Sequence, residues 1–341
     1  MRKRYGVRVA AVVAAVAVMV VVALCGRDKN DEWTYRRNMG VVWTTQYHIT
    51  YESDRMFTDS IKAIYAMVDA SVSKFEEGSL ISRINGGERV KCDEMLERMY
   101  VASREVCERT GGAFDPTVSP LMKAWGFVDK GGERPTDEQI DSIREFVGMA
   151  RTLLVDGYIE KNDVRTEFDF SAIAKGAACD EVARMLERNG VKNYLVEIGG
   201  EIALRGVNKQ GEPWGVLVDY PGGNPITERV GMPVLRMVSG GVATSGNYRN
   251  YKIVDGEKVV HTMNPLTGRP ETTNLLSATI MADRCMDADA YATACMVMGL
   301  EKSVAMLEGS QDMGALLVYS VTADSLGVWT NEKMNEVMKA E

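Results

Sequence analysis

Residues 194–207, with the sequence YLVEIGGEIALRGV, hold the pattern that decides the fold. A strand-like run lies on either side of the Gly199-Gly200 pair, which predicts two antiparallel strands joined by a tight turn. Two further runs of this kind, separated by Gly, Pro or Asn, follow at residues 214–219 and 234–239. The sequence therefore predicts a meander of antiparallel strands in the second half of the chain.

Outward from this meander, the chain shows both helical and strand-like periodicity. Apolar residues at helical spacing predict helices at residues 54–72, 93–110, 136–147, 174–189 and 287–298. Further strands are predicted at residues 41–51, 277–282 and 314–320. Because helices and hairpin strands come in separate runs without a regular βαβ rhythm, the sequence predicts an α+β fold.

Length and composition bound the organisation and the partners of the chain. Its 341 residues exceed what one compact core usually holds, which predicts two domains or one large composite domain. The 48 acidic residues outnumber the 40 lysines and arginines, so the net charge is −8 and we expect no nucleic-acid partner. His48 and His261 are the two histidines, which excludes a multi-histidine metal site.

The first 25 residues carry the pattern of an export signal. A positively charged start precedes an uninterrupted apolar run at residues 9–24, and Cys25 follows. Residues 22–25, VALC, resemble a bacterial lipobox with Cys25 as the lipidated residue, although Leu24 stands where Gly, Ala or Ser is usual. An uncleaved membrane anchor is the alternative. The expected boundaries are a signal or anchor at 1–25, a tether at 26–37 and a folded body at 38–330. We expect the body on the periplasmic side of the inner membrane, in a bacterial cell envelope.

Common nucleotide-binding and hydrolase motifs are absent from the sequence. It contains no GxGxxG, GxxxxGK[ST], HExxH or GxSxG pattern. Short polar clusters with glycine recur instead, and such glycines let backbone approach a ligand closely. Each cluster alone is typical of a turn, but their number favours a nucleotide or flavin site.

Asp289 and Thr293 are four residues apart on a predicted helix, so their side chains share one face. A carboxylate and a hydroxyl are hard oxygen ligands of the kind that Mg²⁺ prefers. The spacing alone also fits an acidic residue placed near a helix N-terminus by the helix dipole. Both interpretations stay open at this point.

Seven short motifs follow one another along the chain. They are residues 39–40 (MG), 79–85 (SLISRIN), 112–117 (GAFDPT), 169–176 (DFSAIAKG), 198–201 (IGGE), 261–268 (HTMNPLTG) and 288–294 (ADAYATA). Their order is similar to that of the ApbE family of bacterial FAD:protein FMN transferases, formerly called thiamine biosynthesis lipoproteins. The resemblance extends from about residue 38 to about residue 320.

The resemblance implies a T-fold-like α+β composite of two subdomains, with mostly antiparallel sheets and an FAD cleft between them. It also implies a Mg²⁺-dependent enzyme with FAD as substrate. Such an enzyme transfers FMN through a phosphoester bond to a threonine or serine hydroxyl of an exported acceptor protein and releases AMP. The implied acceptor is a flavoprotein such as a subunit of a membrane redox pump of the NQR or Rnf type.

The resemblance also implies roles for particular residues. The metal ligands would be the carbonyl of Ala172 and the side chains of Asp289 and Thr293, with Asp289 essential for catalysis. The general base would be His261, whose imidazole is suited to accept the acceptor's hydroxyl proton near neutral pH. The flavin-contacting positions would be Met39, Phe75, Ala113, Phe114, Asp115, Asp169, Lys175 and Met263.

Three positions depart from the family pattern. Phe75 stands where Tyr or Trp is often found, so it can stack on a ring but cannot donate a hydrogen bond. Asn264 replaces a usual Asp, and Glu197 replaces a common Asn. The chain also lacks the acceptor sequence Asp-Gly-x-Ser/Thr-Gly-Ala-Thr, so we expect it to modify another protein. His48, in an alternating strand, is expected to face solvent or a neighbour.

Two other functions stay open from the sequence. In the first, the same Mg²⁺ site directs water at FAD, so the enzyme is an FAD pyrophosphatase that yields FMN and AMP. In the second, the chain is a non-catalytic flavin-binding lipoprotein. The presence of Asp289, Thr293 and His261 disfavours the second function, since mere storage of a flavin would need neither a metal ligand nor a base.

Overall fold

The computed structural model describes residues 33–127, 134–218, 233–246, 251–254, 257–260, 262–322 and 325–338. The predicted signal or anchor at 1–25, including Cys25, lies outside the described residues, and so does His261. Within these ranges, no helix combines the length and apolarity needed to cross a bilayer.

The structure mixes short strands with helices of six to 23 residues. The strands are β1 Thr34–Val42, β2 Thr45–Ser53, β3 Thr152–Val155, β4 Tyr158–Lys161, β5 Tyr194–Ile198, β6 Glu201–Arg205, β7 Trp214–Leu217, β8 Val234–Met237, β9 Ser239–Gly246, β10 Tyr251–Val254, β11 Glu257–Val260, β12 Met263–Asn264, β13 Arg269–Pro270, β14 Leu275–Ala282, β15 Gly314–Thr322 and β16 Ser325–Thr330. The α-helices are α1 Thr58–Val72, α2 Leu80–Asn85, α3 Glu94–Arg109, α4 Ser119–Ala124, α5 Asp137–Arg144, α6 Ser171–Arg188, α7 Cys285–Leu307 and α8 Glu332–Met338.

The main sheet has eight strands in the order β1-β2-β5-β6-β9-β14-β15-β16. Every neighbouring pair in it is antiparallel. The predicted hairpin at 194–207 is present as β5 and β6, and both glycines of its turn have positive φ, 66° for Gly199 and 100° for Gly200. A positive φ is easily adopted only by glycine, which explains the Gly-Gly pair in this turn.

The predicted meander is interrupted after β6. β7 and β8 pair with each other in a separate two-stranded ribbon, and β6 pairs instead with β9. β7 and β8 nevertheless bury Trp214, Val216 and Leu235 in a core cluster that also includes residues of the main sheet. Hydrophobic runs locate strands along the chain, but their pairing depends on contacts between distant residues.

The ordered body is slightly longer than the sequence predicts at both ends. β1 begins at Thr34, within the predicted tether of 26–37, and pairs with β2 from its first residue. At the other end, α8 lies beyond residue 330, and its Met334 is completely buried. Both segments therefore belong to the folded body.

The two central helices, α6 and α7, pack against each other and against the sheet. α7 is buried around most of its circumference, as expected for an interior helix. Two glycines allow the close approach, since an added Cβ would lie 2.5 Å from the Cys285 carbonyl oxygen at Gly176 and 2.3 Å from the Cys285 Cα at Gly241. The start of α7 is thus held tightly against both α6 and β9.

Candidate active site

A cavity of about 720 Å³ lies between the first turns of α6, the β5–β6 turn and the middle of α7. This volume is within the roughly 300–1,000 Å³ of typical small-molecule sites. Nine of the sequence-predicted site residues line it: Ala113, Phe114, Asp115, Asp169, Ala172, Lys175, Met263, Asp289 and Thr293. The structure therefore brings together residues separated by up to 180 positions in the chain.

Two predicted flavin-contacting residues do not line this cavity. Met39, on the edge strand β1, is 63% exposed, and Phe75, just after α1, is 78% exposed. Phe75 is nevertheless close to the site, because its neighbour Lys74 forms a 2.5 Å ion pair with Asp169 in the cavity wall.

Of the two histidines, His48 is the one within the described residues. His261 lies outside the described residues, and the next two residues, Thr262 and Met263, line the cavity. His48 lies on β2 as expected, half exposed, with its Nδ1 2.7 Å from Glu197 Oε2. Glu197 also accepts a hydrogen bond from the Gly200 amide. The departure from Asn to Glu at position 197 therefore places a carboxylate that supports the β5–β6 turn.

Asp289 is the buried carboxylate at the centre of the site. It is 3% exposed, and its Oδ2 accepts a 3.0 Å hydrogen bond from the Gly176 amide. Burial raises its pKa, while the nearby Lys175 ammonium and this hydrogen bond oppose the rise. In a regular helix the Gly176 amide would donate to the Ala172 carbonyl. Asp289 therefore competes with the Ala172 carbonyl for one donor.

The predicted metal ligands are consistent with a hard cation. Asp289 and Thr293 both face the cavity from α7, and the Thr293 hydroxyl lies 3.2 Å from the Ser245 hydroxyl. The carboxylate, hydroxyl and carbonyl oxygens suit Mg²⁺, which keeps part of its shell for water and substrate phosphates. Among the described residues, no cluster of three or more His, Cys, Asp or Glu side chains could hold a metal.

Lys175, which is partly exposed, and the buried Glu201 form an ion pair beside Asp289. Burial alone would lower the pKa of Lys175, but the Asp289 and Glu201 carboxylates outweigh it and raise this pKa. Burial raises the pKa of Glu201 to about 8, with a smaller contribution from repulsion by Asp289. Glu201 Oε2 has no hydrogen-bond partner in the described structure. The site thus holds one cation between two buried acids, together with an unused acceptor atom.

Asp115 lines the cavity but has its carboxylate engaged in the loop that carries it. Its Oδ1 accepts hydrogen bonds from the Thr117 amide and hydroxyl, and its Oδ2 accepts one from the Met149 amide. Burial raises its pKa, and these hydrogen bonds oppose the rise. The structure therefore shows Asp115 ordering the Gly112–Thr117 loop at the cavity wall.

Sequence reasoning assigned no role to Glu201, although one of the seven motifs contains it. The position of Glu201 in its strand is the feature of the sequence that could have indicated a buried acid. Glu201 and the buried Ala203 are two residues apart on β6 and share one face of the sheet, so an acid at position 201 points inward. Nothing in the sequence marked Ser245 as a neighbour of Thr293.

Comparison with known proteins identifies the family of this chain. A model of the ApbE family matches residues 39–317, and the chain therefore belongs to the ApbE family. The predicted family, the predicted α+β fold with mostly antiparallel sheets, and the prediction of an enzyme are all confirmed.

Similar proteins cover most of the chain. The FAD:protein FMN transferase of Vibrio cholerae is 32% identical, over 87% of this chain and 90% of its own length. That of Escherichia coli K12 is 30% identical, over 89% and 88%. The solved flavinyl transferase ApbE of Pseudomonas stutzeri, in its apo form, has a TM-score of 0.81 at 27% identity and covers 91% of this chain and 98% of its own.

Proposed function

We propose that this chain is a Mg²⁺-dependent FAD:protein FMN transferase. It transfers FMN from FAD to a threonine or serine hydroxyl of an exported acceptor protein, forms a phosphoester bond and releases AMP. The observation that carries the proposal is the convergence of Asp289, Thr293 and Lys175 in one cavity of an ApbE-family fold. The names of the relatives, FAD:protein FMN transferase, support the transfer of FMN from FAD to a protein.

The proposed metal ligands are the Ala172 carbonyl, the Asp289 carboxylate and the Thr293 hydroxyl. When bound, Mg²⁺ supplies neutralisation of pyrophosphate charge, which is the main requirement of phosphoryl transfer. Lys175 adds a second positive charge in the same cavity, held in place by Glu201. Because Asp289 is buried and hydrogen-bonded to the α6 backbone, its carboxylate has a fixed position from which to bind.

The reaction exchanges one phosphorus–oxygen bond for another. The acceptor hydroxyl forms a bond to the FMN phosphorus of FAD, the pyrophosphate bond to AMP breaks, and AMP leaves with the bridging oxygen. His261 is the proposed base that takes the hydroxyl proton. The proposed flavin contacts are Met39, Phe75, Ala113, Phe114, Asp115, Asp169, Lys175 and Met263.

The proposed setting is the periplasmic side of the inner membrane of a bacterium. The export pattern at residues 1–25 supports it, with either a lipidated Cys25 or an uncleaved anchor as the attachment. The proposed acceptor is a flavoprotein subunit of an exported redox pump of the NQR or Rnf type.

A transfer assay tests this function. The full-length chain in detergent is incubated with FAD, Mg²⁺ and an acceptor subunit carrying the Asp-Gly-x-Ser/Thr-Gly-Ala-Thr sequence, and the acceptor's mass is measured. We expect an increase equal to one FMN, which disappears with EDTA or with Asp289→Ala. Asp287→Ala is the matched control, because Asp287 lies two residues away, pairs with Arg284 and does not line the cavity.

The same assay separates the alternative reactions. Free FMN and AMP with an unmodified acceptor would identify an FAD pyrophosphatase. FAD binding without any turnover would identify a flavin-binding protein. Transfer that continues unchanged in Asp289→Ala would refute the proposed metal site.

A further inference from the structure

The first turn of α7 has an acceptor that comes from another helix. Arg284, at the helix N-cap, donates to the Asp287 side chain but accepts no capping hydrogen bond from the first amides of the helix. Instead, Asp180 of α6 accepts 3.0 Å hydrogen bonds from the amides of both Cys285 and Met286, one at each carboxylate oxygen. Helix N-termini leave their first amides unpaired, so Asp180 supplies the cap that the local sequence lacks.

A second contact runs in the opposite direction one turn away. Asp289 of α7 accepts its hydrogen bond from the Gly176 amide of α6. Gly176 and Asp180 are four residues apart on α6, and Cys285 and Asp289 are four residues apart on α7, so each pair spans about one helical turn. The two helices are therefore joined by two successive carboxylate-to-backbone contacts, with the direction reversed between them.

The Asp180 carboxylate is suited to hold position rather than to react. It is 9% exposed and does not line the cavity. Both of its oxygens face backbone amides of α7, and the positive end of the α7 dipole lies at the same place. Gly176 and Gly241 also pack against the Cys285 backbone, so little free space remains around this junction.

We propose that Asp180 is a positioning residue for the metal site. By fixing the start of α7 against α6, it sets the separation between the Ala172 carbonyl on α6 and the Asp289 and Thr293 side chains on α7. This inference rests on the proposed function, because the separation matters only if these three groups bind one cation. Asp180 itself contacts neither the cation nor FAD.

Metal binding measured without turnover tests the inference. The full-length chain with FAD is titrated with Mn²⁺, which shares the oxygen-ligand preference of Mg²⁺, and free Mn²⁺ is counted by electron paramagnetic resonance. In Asp180→Asn, one acceptor oxygen is replaced by an amide donor that faces a backbone amide. We expect Mn²⁺ binding to weaken about tenfold, at the lower end of the range for residues that orient metal ligands.

Asp93→Ala is the matched control, because loss of a helix cap destabilises the fold. Asp93 caps α3 through a 2.8 Å hydrogen bond from the Leu96 amide and does not line the cavity. We expect this variant to lose stability but to keep Mn²⁺ affinity within twofold of the wild-type protein. If Asp180→Asn does not fold, Asp180→Ser, which keeps one acceptor oxygen, is measured in its place, with weakening again expected.

The outcomes distinguish the two levels of the proposal. A wild-type chain that binds FAD but no Mn²⁺ would overturn the metal-dependent function and the positioning role together. Wild-type binding with an equal affinity in a folded position-180 variant would overturn the positioning role alone. A loss of Mn²⁺ affinity in this variant no larger than that in Asp93→Ala would also overturn it, because general destabilisation would then explain the loss.

Discussion

Replacing Gly176 with alanine tests whether the contact between α6 and α7 controls the site. An alanine Cβ at this position would lie 2.5 Å from the carbonyl oxygen of Cys285 and 2.8 Å from both its carbonyl carbon and the Cα of Met286. All three atoms are backbone, so no side-chain rotation relieves the contact. Ordinary contact begins at 3.4 Å, and the start of α7 must therefore move away by about 0.9 Å.

The effects on stability and on activity should differ greatly. Alanine is favoured over glycine within a helix by about 1 kcal/mol, whereas overpacking a core costs about 1–3 kcal/mol. The free energy of unfolding should therefore fall by at most about 2 kcal/mol. The same displacement moves Asp289 relative to Ala172, and a misplacement of about 1 Å costs roughly 100-fold in rate.

The assay compares Gly176→Ala with Gly309→Ala, a position where an added Cβ meets nothing within 4 Å. FMN transfer to the acceptor is measured as an initial rate, and unfolding is followed in denaturant. We expect Gly176→Ala to be folded at 25 °C but slowed about 100-fold, with Gly309→Ala near the wild-type rate. Full transfer activity in Gly176→Ala would refute the reasoning, since the helices could then separate without disturbing Asp289.

Three further predictions concern charge in and beneath the cavity. Burial raises the pKa of Asp180 from 3.8 to about 6, so its contribution to stability is present below pH 4 and is lost as the pH rises through 6. Relative to Asp180→Asn, the wild-type free energy of unfolding should therefore fall by about 3 kcal/mol between pH 4 and 7, measured in urea. Lys175→Met removes the cation that offsets the charges of Glu201 and Asp289. We expect the free energy of unfolding to fall by about 3 kcal/mol at pH 9. The fall should be smaller at pH 5, because Glu201, whose pKa is about 8, is then protonated. This estimate takes the low end of the usual range because Lys175 is 34% exposed; an equal loss at both pH values would contradict it. Finally, EDTA should lower the melting temperature of the FAD-saturated wild-type protein but not that of Asp289→Ala, and equal shifts in the two would count against the metal site.

Much of the site could be predicted because its chemistry is carried by short local patterns. Asp289 and Thr293 share a helix face through their four-residue spacing alone, and the glycine turn before Glu201 follows from the hairpin pattern. The ApbE resemblance then assembled these patterns into one site. Met39 and Phe75 show the limit of this reasoning, because the residue type at a motif position does not reveal that its side chain is exposed.

The sequence by itself determined the α+β class, the positions of helices α1, α3, α5, α6 and α7 and of fewer than half of the described strands, and the chemical groups available for a flavin and a hard cation. These features depend on periodicity and on residue chemistry, both of which are local. Only the tertiary structure decided that β6 pairs with β9, that Lys175 lies between Glu201 and Asp289, and that Asp180 caps α7. Those arrangements depend on contacts between residues that are 26 to 114 positions apart in the chain. A carboxylate that is buried away from water needs hydrogen-bond or ion-pair partners within the protein, and only the folded structure shows which residues these are.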